Sequence, residues 1–95
     1  MVKYEIGDTA ILELKFGALA VKKRSIVTGR LNIMTMTGTT AHDLATWLRK
    51  REHGEPRKLV QDEFPLLTKE EREFIISGIT PEEWRAAFPP EKEDE

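Results

Sequence analysis

Histidine and cysteine, the residues that most often bind metals or act as nucleophiles, are rare in this chain. His42 and His53 are the only histidines among its 95 residues, and cysteine is absent. The two histidines lie on or beside one predicted helix at a spacing that separates them by about 16 Å. They could share a face of that helix, but they cannot bind one ion together. Asp43 is better explained as a helix cap than as a ligand, so we predict no metal site.

Side chains for nucleophilic or acid–base catalysis are present without the patterns that activate them. No serine lies in a G-x-S-x-G pattern, and the six glycines are isolated, so phosphate-binding glycine loops are missing as well. The pairs Asp62-Glu63 and Glu70-Glu71 could in principle supply an acid and a base. Helix capping and solvation explain both pairs more simply. We therefore predict that the protein is not an enzyme and has no catalytic residue and no cofactor.

Basic residues are the stronger functional candidates. A basic cluster could contact an acidic partner surface, or it could follow phosphates in a nucleic acid. It could also reflect only the preference for cations at the end of a helix. Single-strand binders add aromatic stacking platforms, and Trp47 is the only ring near this cluster. We predict a contact surface for a protein partner, with nucleic-acid binding as the alternative, formed by Arg49, Lys50, Arg51, Arg57 and Lys58 with Trp47 as an anchor. A second basic group would extend it if both lie on one surface: Lys22, Lys23, Arg24 and Arg30.

The first third of the chain has the alternation of β-strands. Residues 9–16 place Ala10, Leu12, Leu14 and Phe16 on one side and the charged residues on the other, which is typical of a half-buried strand. Gly7-Asp8 before this run predicts a tight turn. Two further strands are predicted over residues 25–28 and 30–37, joined at Gly29. An unpaired edge of this sheet could also pair with a second copy of the chain.

The rest of the chain has helix signals. Thr40 and Asp43 form a capping box that opens a helix ending near residues 51–53, before Gly54 and Pro56. A second box opens at Thr68, and Gly78 suits a left-handed C-cap. Thr80-Pro81 then starts a third helix almost at once. We predict that residues 54–65 are irregular, and that the small C-terminal core is formed by Phe64, Phe74, Trp84 and Phe88.

Together these signals predict a small α+β fold: an N-terminal antiparallel sheet of three or four strands, one helix, and a C-terminal two-helix unit. The length suits one domain over residues 1–90, mainly β to residue 40 and mainly α from 41 to 90. The composition of residues 91–95 predicts an acidic disordered tail. No run is apolar enough for a membrane helix. The chain therefore predicts a cytoplasmic protein with no membrane partner.

Charge is divided unequally along the sequence. Residues 1–60 contain 11 Lys and Arg against 6 Asp and Glu, a net of +5, whereas residues 61–95 contain 4 against 11, a net of −7. Glutamates in the first turns of the predicted helices and in the tail account for most of the acidic excess. The basic half has less local explanation, so we expect the functional surface there.

The second half of the chain resembles a family of small phage and prophage proteins. The resemblance covers about residues 31–88 and is carried by the segments 60–65 (VQDEFP), 71–75 (EREFI) and 78–84 (GITPEEW), with Asn32-Ile33-Met34-Thr35 before them. No activity is established for that family, so no site residue is implied. The resemblance implies an origin in a phage or another mobile element and synthesis in a bacterial cytoplasm. Small phage proteins commonly act by binding, and the resemblance therefore favours a non-enzymatic accessory protein with a host or phage protein as partner.

Overall fold

The computed structural model describes residues 2–87, which form a four-stranded antiparallel sheet followed by helices. The strands are β1 (Val2–Ile6), β2 (Thr9–Glu13), β3 (Leu19–Arg24) and β4 (Leu31–Met36). Each strand pairs with the next, so the sheet has the order β1-β2-β3-β4 and its two edges are β1 and β4. The predicted α+β class and the predicted N-terminal sheet are confirmed.

The first connection in this sheet is a tight turn and the last is a longer one. Gly7 and Asp8 join β1 to β2, and Gly7 has φ +59, a conformation that glycine adopts at little cost. The β3–β4 connection is longer than predicted, because residues 25–28 are a turn rather than a strand. The Ser25 hydroxyl accepts hydrogen bonds from the backbone N–H groups of Val27 and Thr28. These local bonds replace the ladder that a strand would need.

The register of the strands decides which side chains face the helices. Ile11 and Val21 are cross-strand partners with no exposed surface, and Met34 continues their row onto β4. The neighbouring row, Ala10, Lys22 and Ile33, lies on the opposite face, which no described helix covers. We call this second side the open face of the sheet.

The predicted strand over residues 9–16 is therefore partly wrong. β2 ends at Glu13, and a short 3-10 turn follows at Lys15–Gly17. Of the side expected to be apolar and buried, Leu14 is 44% exposed and Phe16 is 100% exposed, while Ile11 on the other side is fully buried. Alternation identified a two-sided strand, but only the pairing with β3 shows which side meets the core.

Within the described residues, four helices follow the sheet: α1 (Ala41–Glu52), α2 (Val60–Glu63), α3 (Lys69–Ser77) and α4 (Pro81–Ala87). The Thr40 hydroxyl accepts from the Asp43 N–H, and Thr68 and Glu71 form a complete capping box. Gly78 ends α3 with φ 74, as predicted. The short helix α2 lies inside residues 54–65, which were predicted to be irregular throughout.

One hydrophobic core lies between the sheet and the helices. α1 packs on β1 and β2, and α3 packs on β3 and β4. Phe64 and Phe74 belong to this core, whereas Trp84 is 36% exposed. Phe88 and the predicted tail at 91–95 lie outside the described residues. Phe64 and Phe74 thus complete the core of the sheet rather than forming a separate small core.

Candidate functional site

The predicted basic cluster lies where α1 ends and the chain turns back. His53 caps α1, and Gly54 follows with φ 68. The Glu55 N–H donates to the Lys50 carbonyl at 2.7 Å, which reverses the direction of the chain. The loop of residues 54–59 then runs beside α1, and this brings basic residues from two parts of the sequence together.

Trp47 fixes this loop to the helix. Its indole Nε1 donates to the Lys58 carbonyl at 2.9 Å, and its ring meets Phe64 edge to face with 5.8 Å between ring centroids. The side chain is only 5% exposed. Trp47 was predicted as an anchor for a partner, but the structure makes it a packed side chain that positions the loop. Its burial leaves the basic residues around it as the accessible part of the surface.

Four basic residues surround two adjoining cavities beside Trp47. Lys50, Arg57 and Lys58 line a cavity of about 310 Å³. Arg51 lines a neighbouring cavity of about 570 Å³, which Arg57 and Lys58 also line. All four side chains are exposed. We call Lys50, Arg51, Arg57 and Lys58 the cationic surface.

Arg49 lies apart from the cationic surface, although it was predicted as part of it. Its guanidinium stands 5.5 Å from the centroid of the Tyr4 ring on β1, a cation–π contact. One residue further along a helix turns the side chain by about 100°, which explains the different direction of Lys50. This contact joins α1 to β1, an edge strand of the sheet.

None of the four cations is neutralised by a salt bridge within the described chain. Over residues 2–87 the structure has one salt bridge, which joins Lys23 to Asp8. Arg57 instead donates to the Glu55 carbonyl and stands 5.7 Å from the Trp47 ring centroid. These arrangements hold Arg57 in place while leaving its charge uncompensated.

Acidic side chains lie within the same surface. Asp43 and Glu63 line the smaller cavity together with the cations, and Glu55 lines the larger one. A polyphosphate would be repelled by these carboxylates, whereas a protein surface can offer cations to match them. The mixed lining therefore suits a protein partner better than a nucleic acid.

The upstream basic residues do not extend the cationic surface as one patch. Lys23 is 7% exposed and donates to Asp8 at 2.9 Å and to the Thr9 hydroxyl at 3.1 Å. That hydrogen bond from Lys23 holds the pKa of the Asp8 carboxyl below its ordinary value. Lys22 lies on the open face, and Arg24 donates to the Gly29 carbonyl in the β3–β4 turn. Lys23 and Arg24 thus bond to groups of the sheet and of the β3–β4 turn, and Lys22 lies on the open face.

Sequence reasoning missed Glu83 as a structural residue and assigned it only to the helix dipole. Its carboxylate is almost fully buried, with 8% of the residue exposed. It accepts a hydrogen bond from the Thr28 hydroxyl at 2.8 Å, which joins α4 to the β3–β4 turn. Side-chain hydrogen bonding, chiefly from Asn32 and then from Thr28 and Ser25, holds the pKa of the Glu83 carboxyl below its ordinary value although burial opposes this. No sequence signal links residues so distant in the chain.

The described residues contain neither a cluster of metal-ligating side chains nor a helix that could span a membrane. Within residues 2–87, no group of three or more histidine and acidic side chains could hold a metal ion. His42 lines the smaller cavity, while His53 is the C-cap of α1. No helix in the described part of the chain is long and apolar enough to cross a membrane.

Comparison with known proteins gives no relative for this chain. No family model, no curated protein and no solved structure matches it. The functional argument therefore rests on the residues and their geometry.

Proposed function

We propose that this chain is a non-enzymatic accessory protein of a phage or other mobile element that acts in the bacterial cytoplasm by binding a bacterial or phage protein. One observation supports this most directly. Lys50, Arg51, Arg57 and Lys58 are exposed and surround two adjoining cavities, and none of them is neutralised by a salt bridge within residues 2–87.

The proposed partner surface is acidic with some basic residues. Exposed cations on one side would attract carboxylates and raise the rate of association. Asp43, Glu55 and Glu63 would take the partner's basic groups and would select against a uniform polyanion. Arginine is frequent among residues that dominate binding energy, and Arg57 is held in place by Trp47 before any partner arrives.

Charge reversal with a matched control tests this proposal. The test variant carries K50E, R57E and K58E, and the control carries K15E, K69E and R85E, which changes the net charge equally at exposed positions outside the cationic surface. Both tagged variants and the wild type are used to capture proteins from bacterial lysate, with and without nuclease. We expect a defined protein to bind the wild type and the control, to survive nuclease, and to be lost with the test variant.

Other outcomes would contradict the proposal in distinct ways. Capture that disappears with nuclease would support the alternative of nucleic-acid binding, and so would direct binding of a short DNA duplex that weakens steeply with salt. Equal capture by the wild type and the test variant would show that the cationic surface is not the contact. Equal loss in both variants would show that net charge matters rather than this surface.

A further inference from the structure

The two edges of the sheet differ in how they are protected against pairing. The β1 edge has a register irregularity between Val2 and Tyr4, and it includes the charged residue Glu5. Bulges and charges are the devices with which edge strands avoid pairing with another chain. The β4 edge has neither. Its residues Leu31–Met36 include no charge and no proline, and they pair with β3 in continuous register.

The outward direction of the β4 backbone follows from one hydrogen bond. The Ser25 N–H donates to the Arg30 carbonyl at 2.8 Å, so these two residues, in register with the β3–β4 ladder, occupy a hydrogen-bonded position of it. Such pairs alternate along an antiparallel ladder. The next ones are Lys23–Asn32 and Val21–Met34. The N–H and carbonyl groups of Leu31, Ile33 and Thr35 therefore point away from β3, and they bond to no other residue within the described range 2–87.

We propose that a second copy of this chain pairs with β4, antiparallel, around a two-fold axis at Ile33. Leu31 of each copy then lies opposite Thr35 of the other, and Ile33 lies opposite its own counterpart. Each of these three pairs exchanges two hydrogen bonds, about six in total. The sheets of the two copies become one continuous sheet of eight strands, and the interface is isologous.

The outward groups restrict where the two-fold axis can lie. An axis through a residue of β4 pairs outward groups with outward groups, whereas an axis between two residues would pair them with inward ones. Among these, only the axis at Ile33 pairs all three outward residues of the strand with one another. The pairing also places no charge opposite a like charge, because the strand has none. The nearest cations on the open face, Lys22 and its counterpart, would be three strand spacings apart. That is about 14 Å, beyond the screening length of about 8 Å at physiological salt.

Exposed apolar side chains favour a second copy over an isolated peptide. Leu31 is 50% exposed and Ile33 is 59% exposed, and both lie on the open face, which would continue from one copy into the other. Beyond the strand, the β3–β4 turn with Ile26 (75% exposed) would lie beside residue 38 of the second copy. Leu66, which is 78% exposed, packs at Gly38. An isolated extended peptide would cover the strand but would bring no counterpart of Leu66.

Sedimentation of the full chain over a range of concentrations up to millimolar tests the pairing. We expect reversible dimers for the wild type and for Leu59→Lys, an exposed apolar position far from β4 in the chain. Ile33→Lys would place two lysines at the axis, about 5.5 Å apart between Cα atoms. We expect it to weaken dimerisation at least about tenfold. Circular dichroism checks that each variant is folded, which is expected because Ile33 is mostly exposed.

Cross-linking gives a second measurement that depends on geometry. The natural chain has no cysteine, so Ile33→Cys and Leu59→Cys each introduce a single thiol. A short bis-maleimide should join Ile33→Cys into covalent dimers much faster than Leu59→Cys. A purified chain that stays monomeric, or equal cross-linking at both positions, would overturn the proposal and leave the edge to another occupant. The cationic surface shares no residue with β4. A result that overturns the proposed dimer would therefore leave the proposed function untouched.

Discussion

Phe16 is the residue whose conformation departs furthest from the preferences of its side chain. Its ring is fully exposed, and its φ of 61 lies in the left-handed region, which is unfavourable for an aromatic residue. Such strain costs about 1–3 kcal/mol and persists where the surroundings or a function require it. Gly17 follows with φ 78, so the turn between β2 and β3 needs two consecutive residues with positive φ. An exposed aromatic at this turn is a second place where a protein partner could gain contact area.

Replacing Phe16 by asparagine should stabilise the free protein. Asparagine tolerates the left-handed conformation and no buried contact is lost, so the free energy of unfolding should rise by up to about 1 kcal/mol. Phe16→Ala should give no such gain, because alanine keeps the backbone cost. Urea titration of both variants measures the difference. Destabilisation by Phe16→Asn would mean that the ring makes stabilising contacts outside the described residues.

Gly78 combines a left-handed φ with a close approach of two chain segments. A Cβ atom at this position would lie 2.5 Å from the Arg24 carbonyl oxygen. We expect Gly78→Ala to lower the free energy of unfolding by about 3 kcal/mol. Gly54→Ala is the matched control, since Gly54 has φ 68 with nothing within 4 Å, and it should cost only about 1 kcal/mol. Equal effects in urea denaturation would show that the approach to Arg24 is unimportant.

At the scale of elements, α4 is held to the sheet through Glu83. Thr80 caps α4 by accepting from the Glu83 N–H, and the Glu83 carboxylate reaches the β3–β4 turn. The Ser77 carbonyl also accepts from the Ile26 N–H, so the same turn contacts the end of α3. The junction of the two C-terminal helices is thus built on the turn that joins β3 and β4.

The charge of Glu83 should make the stability of this junction depend on pH. Its pKa in the folded protein lies below the ordinary value of 4.5, so ionisation favours the folded state above that pH. This contribution is lost as the pH falls through the lower pKa of the folded state. Thermal unfolding between pH 7 and pH 3 should show a smaller loss of stability for Glu83→Gln than for the wild type. Glu82→Gln, at an exposed neighbour, serves as the control and should follow the wild type.

At the scale of the whole molecule, one core joins the sheet to the helices. Ile11 and Val21 from the sheet, Leu44 and Trp47 from α1, and Phe74 from α3 belong to the same buried cluster. A protein with a single shared core is expected to unfold in one cooperative transition. The prediction of one domain over residues 1–90, which was made from the length of the chain, stays to be tested.

Fluorescence of Trp47 provides that test. Trp84→Phe leaves Trp47 as the only tryptophan, and its buried indole reports on the contact between α1 and the loop. In urea, its transition should coincide with that of far-UV circular dichroism, which follows the sheet and all helices. A Trp47 transition at clearly lower denaturant would divide the chain into separately unfolding parts.

The starts of α1, α3 and α4 and the end of α3 could be read from the sequence because their causes are local, whereas α2, which has no side-chain cap, was missed. Thr40, Thr68, Gly78 and Thr80 act on backbone groups within four residues of themselves, so residue type and spacing are enough. The α+β class and the turn at Gly7-Asp8 follow from equally local patterns. The clustering of Lys50 with Arg57 and Lys58 could also be expected from the sequence, since only a short loop separates the end of α1 from residues 57 and 58.

Only the tertiary structure decided which surfaces are buried. The pairing of β2 with β3 turns Ile11 inward, because a change of one residue in register reverses every side chain. Phe16 lies beyond the end of β2, in the 3-10 turn, and is exposed. Packing also buried Trp47, directed Arg49 to Tyr4, and joined Glu83 to Thr28 across more than half of the chain. The amino-acid sequence thus determined where α1, α3 and α4 begin and where positive charge accumulates. Contacts between residues distant in the chain decided which side chains remain available to a partner.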